Sequence, residues 1–134
     1  MGYKYSKQKA FDTVVEQLVK QGKPSYSNNE CFYRSTRGLK CAAGCLISDN
    51  INVTKFNSIS WLNACKKEPS LNNIASANFV IQLQTAHDDH AATIGWRKHW
   101  FNSMIKLADQ HKLSSNLLKK LATKKWREVE LHDH

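Results

Sequence analysis

Two stretches of the chain concentrate the side chains that do chemistry. The first, residues 33–49, carries Tyr33, Arg34, Arg37, Lys40 and Cys41 together with Gly38 and Gly44. Glycine lets a backbone approach a ligand closely, and arginine forks onto carboxylate or phosphate, so a loop of this make-up suits a phosphate group. The same residues also suit a plain hairpin whose glycines shape the turn and whose basic side chains are solvated. Both readings stand at this level.

The second stretch is His87-Asp88-Asp89-His90. Combined with the first, it provides the parts of a thiol enzyme: Cys41 as nucleophile, His87 as its base, and Asp88 or Asp89 to orient the ring. Lys40 and the nearby arginines would lower the thiol pKa. Such an enzyme would act on a nucleotide or another phosphorylated substrate through Arg34, Lys40, Cys41 and His87. Nothing in the linear order brings these groups together, and a Cys41 packed beside Ala42 and Ala43 is the plainer reading. His87 and His90 are three apart, hence on one face if the helix continues, and with Cys41 or Cys45 they could form a structural zinc site. The close C-x-x-C pair that marks zinc proteins is missing. We therefore expect no metal and no other cofactor.

A third group lies near the C-terminal end, where Lys119, Lys120, Lys124, Lys125 and Arg127 surround Trp126. Lysines at this spacing can track a phosphate backbone while an aromatic ring stacks on a base. The alternative is a solvated amphipathic helix with Trp126 turned into the core.

These groups need elements to position them. Ser6 can cap a helix whose apolar residues Phe11, Val14, Val15, Leu18 and Val19 form one buried stripe, stopped by Gly22 and Pro24. Strand propensity over residues 31–34, the turn residue Gly38, and a return over 39–41 predict a small hairpin within 31–41, followed by a short buried segment. Phe56, Ile59, Trp61, Leu62 and Cys65 suggest a second helix ended by Pro69. Ser70 can cap a third, with Ile74, Phe79, Leu83, Ala86 and His87 near one face. A fourth covers residues 94–111, and Ser114 or Ser115 caps a fifth. The expected fold is mainly α: a single compact domain over 1–134 of about five helices with a small hairpin, and a frayed tail near 128–134.

Composition narrows the function classes. Hydrophobic residues make up 41% of the 134, enough for a packed core. No apolar run approaches the roughly 20 residues that span a bilayer, and the first residues lack an apolar leader. We expect no membrane partner, a cytoplasmic location, and thiols rather than disulfides at the four cysteines. The net charge of +9 points to an anionic partner, nucleic acid or an acidic protein surface. Oligomeric state is not encoded in any recognisable pattern.

The order Tyr33-Arg34, Gly38-Leu39-Lys40-Cys41-Ala42, Gly44 and Leu46-Ile47-Ser48-Asp49, followed by Leu83-Gln84-x-x-His87-Asp88, resembles a family of small uncharacterised bacterial and bacteriophage proteins. The two motifs fall at residues 33–49 and 83–88. Ser35 stands where that family carries glycine, which puts a tight backbone approach there in question. The resemblance brings no activity with it. It implies a phage-type accessory protein in the host cytoplasm, acting in host takeover or counter-defence by binding a host macromolecule.

Overall fold

A computed structural model describes residues 2–126; Arg127 and the segment 128–134 lie outside the described residues. Among the described residues five α-helices carry the fold: α1 (Lys7–Gln21), α2 (Trp61–Lys67), α3 (Ala77–Asp88), α4 (Trp96–His111) and α5 (Asn116–Lys125). A two-stranded antiparallel hairpin, β1 (Tyr26–Ser27) and β2 (Glu30–Cys31), follows α1. Short 3-10 helices at Ala43–Leu46 and Pro69–Asn73 complete the elements.

The first helix forms for the reasons its sequence suggests. Ser6 accepts a hydrogen bond from the Lys9 N–H at 3.1 Å, and Gly22 at φ 73° closes the other end by donating to Leu18 O. Ala10, Phe11, Val14, Val15, Leu18 and Val19 are buried along one stripe. That stripe packs against α5 and the first 3-10 helix. The α1–α5 contact is pinned at one end by Gln8, which donates to Ser114 O and accepts from the Ser114 N–H.

The strand ladder sits earlier than its propensities suggest. Asn28 and Asn29 both adopt positive φ, 52° and 67°, the backbone of a two-residue type I′ turn, so Ser27 pairs with Glu30 at the turn and Tyr26 with Cys31 beyond it. Within 31–41 the pairing shrinks to a single Arg34–Lys40 bridge around Gly38 at φ 81°. The second helix also starts later, at Trp61, capped by Ser60. Phe56 and Ile59 belong to the preceding loop, where Ser58 at φ 67° interrupts any helical run. Ser70 lies inside the 3-10 helix, and Ser76 occupies the N-cap position of α3.

The core is one cluster with Phe11, Phe56, Phe79, Trp100 and Met104 among its fully buried members. Trp96 stacks on Trp100 at 5.5 Å, and Trp126 meets Trp100 edge-on at 5.8 Å. Trp96 also donates its indole N–H to His87 O at 2.8 Å, which joins the start of α4 to the last turn of α3.

Candidate functional site

Residues 33–49 fold into a knot of local contacts. Arg34 spreads its guanidinium over the carbonyls of Ile47, Ser48 and Ile51, closing the loop that follows the first 3-10 helix. Lys40 pairs with Asp49 at 3.2 Å across the same loop. Gly44 lies so close to the preceding chain that a Cβ there would sit 2.0 Å from Tyr33 O. Ser35 accepts hydrogen bonds from the Arg37 and Leu39 N–H groups, so its hydroxyl organises the turn. Tyr33 is buried and donates its hydroxyl to Ile59 O. Of the candidate phosphate ligands, only Arg37 stands fully exposed. The glycine that could have served a ligand instead serves backbone packing.

The second stretch meets the first through Gln84. Its side-chain oxygen accepts from the Ala43 N–H at 2.9 Å, and its amide donates to Asp88 Oδ1 at 2.7 Å. His87 is fully buried at the end of α3. Its Nε2 accepts from the Ser25 N–H at 3.0 Å, and its Nδ1 lies 2.8 Å from Asp88 Oδ1. A backbone N–H can only donate, so Nε2 carries the lone pair and Nδ1 the proton. The ring is thereby committed to holding the hairpin against α3.

This arrangement does not build the thiol enzyme that the sequence suggests. Both His87 nitrogens are engaged, with Ser25 and with Asp88, so Cys41 has no base in that ring. Cys41 is buried, and burial holds its thiol well above the ordinary range. Cys45 is pushed up to about 12 by burial, against an opposing pull from Lys40. A protonated, buried thiol is a weak nucleophile.

A thiol that does lie beside His87 is Cys31, which sequence reasoning passed over. Cys31, His87 and Asp88 offer three potential metal ligands within 4.8 Å of one another. Its position at the end of a two-residue strand gave no signal of this. The Cys31 thiol is pushed up to about 12, first by burial and then by the charge and hydrogen bonding of Asp88. A metal taken by Nδ1 would require the proton to move to Nε2, leaving two N–H groups facing each other at Ser25. The donor set therefore fits a hydrogen-bonded cluster better than a metal site. The expected His87–His90 pairing is also not built, because α3 ends at Asp88 and His90, at φ 63°, stacks on His99 at 3.6 Å.

Lys119, Lys120, Lys124 and Lys125 are exposed on α5, and none forms an ion pair among the described residues. Lys124 and Lys125 also line a groove of about 260 Å³ against α1, with Glu16, Val19, Lys20 and Leu121. Trp126 is buried, under Arg97 at 5.2 Å and against Trp100, so its ring is not presented for base stacking. Arg127 lies outside the described residues. Among those residues no helix is long and apolar enough to cross a membrane.

Comparison of the chain with protein families, with curated proteins and with solved structures finds no match.

Proposed function

We propose that this chain is a binding module that docks onto the phosphate backbone of nucleic acid through the solvent face of α5. The observation that carries the reading is the exposure of Lys119, Lys120, Lys124 and Lys125 on one helix, without ion pairs among the described residues. Lysines left without ion-pair partners among the described residues, on a chain of net charge +9, create a local positive potential that attracts a polyanion. Lys20 of α1 adds to it along the shared groove. An acidic protein surface is the weaker alternative. Protein interfaces rely on apolar or aromatic anchors at their centre, and here Trp126 and Leu118 are buried. The buried, protonated thiols and the fully engaged His87 give the enzyme reading no comparable support. The phage-type role in host takeover or counter-defence rests on the motif resemblance and adds only a context in which such docking would be useful.

The test is fluorescence anisotropy of labelled duplex DNA, single-stranded DNA and RNA across a range of salt. With three to four phosphates engaged, log affinity on duplex DNA falls with log salt at a slope of about −3 to −4. Reversing Lys120→Glu and Lys124→Glu together lowers the slope by about 2 and weakens binding at least about tenfold. Absence of binding at low salt, or an unchanged slope in the double variant, defeats the proposal. Equal binding of poly-glutamate transfers it to an acidic protein surface.

A further inference from the structure

A cavity of about 350 Å³ opens where the hairpin, the last turn of α3 and the start of α2 converge. Its lining includes Tyr26, Asn29, Cys31, Tyr33, Trp61 and Asp88. Among the described residues Asp88 is the one charged residue in that lining, so a chain of net charge +9 carries here a pocket marked by a carboxylate. The pocket is thus opposite in sign to α5 and is built for a different ligand. The larger hollow beside Asn50, Thr54 and Lys55 has no such feature, since its Lys55 and Glu68 pair with each other at 3.3 Å.

The carboxylate is held in place. Asp88 Oδ1 accepts from Gln84 Nε2 at 2.7 Å and lies 2.8 Å from the protonated Nδ1 of His87. Gln84 is fixed by the Ala43 N–H, and His87 by the Ser25 N–H. Oδ1 is doubly engaged, the Cys31 thiol also hydrogen-bonds the carboxylate, and the side chain is still 42% exposed where it lines the cavity. The neighbouring Cys31 is pushed up to about 12 by burial and by Asp88, so it adds no second negative charge.

We propose that this cleft binds a primary ammonium group, with the Asp88 carboxylate as acceptor and Tyr26, Tyr33 and Trp61 in the lining around it. A guanidinium would need both carboxylate oxygens for its fork, and one of them is taken. An ammonium is a point charge that needs one strong acceptor, and aromatic residues favour a desolvated cation. Two sources offer this chemistry: a free alkyl diamine, and the lysine side chain of a partner protein.

The test is titration of the full chain, followed by amide proton–nitrogen NMR. Cadaverine stands for the free amine and acetyl-lysine methylamide for the protein side chain, with pentanol and methylguanidine as comparisons. Saturable shifts at Asn29, Cys31, Gln84 and Asp88 with either amine, absent with pentanol and weaker with methylguanidine, support the proposal. The tighter of the two amines identifies the source. Asp88→Asn keeps a carbonyl oxygen for Gln84 and His87 but replaces Oδ2 with a donor, and it weakens amine binding about tenfold. Should that variant lose its dispersed spectrum, Tyr26→Leu at the strand edge replaces it and weakens binding about threefold. No saturable shift with either amine, equal shifts with pentanol or methylguanidine, or unchanged affinity in the folded variant would overturn the assignment.

Discussion

Replacing Gly44 by alanine asks whether residues 33–49 form a ligand loop or a folding unit. The new Cβ would lie 2.0 Å from Tyr33 O, 2.9 Å from Tyr33 C and 3.2 Å from its Cα. All three are atoms of Tyr33's backbone, so no side-chain rotation relieves the overlap. The chain must separate by more than an ångström at a point where Tyr33 packs against Phe56 and Trp61 and where Arg34 begins its contacts with the next loop. Overpacking of a core costs about 1–3 kcal/mol where side chains can yield, and a backbone clash belongs at or above the top of that range. Alanine recovers about 0.4–1 kcal/mol by restricting the unfolded chain, since Gly44 does not need positive φ. The net loss is about 2–4 kcal/mol, a large share of the roughly 5–15 kcal/mol available to a domain of this size.

Thermal and urea unfolding followed by circular dichroism measure it directly. A drop in Tm of about 10 °C is expected, with an unchanged urea slope. A ligand-loop role for Gly44 predicts the reverse pattern, in which binding fails while stability holds. A variant within about 0.5 kcal/mol of the parent would refute the close approach of the 3-10 helix to Tyr33.

Other perturbations test the neighbouring contacts. Arg34→Met keeps the apolar stem but strips the donors from the carbonyls of Ile47, Ser48 and Ile51; a loss of about 2–4 kcal/mol in urea unfolding is expected, and a neutral result would show those carbonyls are solvated. Long-range proton–nitrogen spectra near neutral pH should show His87 protonated on Nδ1 and bare on Nε2, whereas a protonated Nε2 would disprove its bond to the Ser25 N–H. The folded pKa values of Cys31 and Cys45, near 12, lie above the ordinary 9.0, so the native state holds protons that the unfolded chain releases. Their contribution is fully present below about pH 9 and is lost as pH rises towards 12, which unfolding curves across that window check. Slow iodoacetamide labelling of the native chain and fast labelling in urea are the matching result at a single pH.

The elements legible in the sequence are those whose signals are local. The stripe from Phe11 to Val19, with Ser6 before it and Gly22 after, fixes α1 without reference to anything else. The burial of Phe79, Leu83, Ala86 and His87 along α3 follows from the same periodicity. Signals fail where a single backbone angle decides. Asn28 and Asn29 turn the hairpin early by adopting positive φ, which asparagine tolerates but does not announce. Ser58 does the same ahead of α2, and so turns two apolar residues of a helical-looking run into loop anchors. The chemistry was hidden by distance along the chain. His87 receives its hydrogen bond from Ser25, 62 positions away, and no spacing rule reports such a partner. Cys31 looked like one thiol among four until folding set it beside Asp88.

The residues richest in apparent chemistry are therefore those most occupied with architecture. Arg34, Gly44, Gln84 and His87 each satisfy or approach backbone groups in another segment, and a side chain committed that way cannot also turn to a ligand without releasing what it holds. The lysines of α5 differ in this respect. Their ammonium groups hold nothing together among the described residues, so they can meet an external charge at little cost to the fold. Asp88 stands between the two conditions: its Oδ1 is tied to Gln84 and His87, while the side chain lines a cavity and is partly exposed there. A carboxylate held rigid by its neighbours yet partly exposed to a cavity binds a cation without having to reorganise, because the cost of orienting it is met during folding.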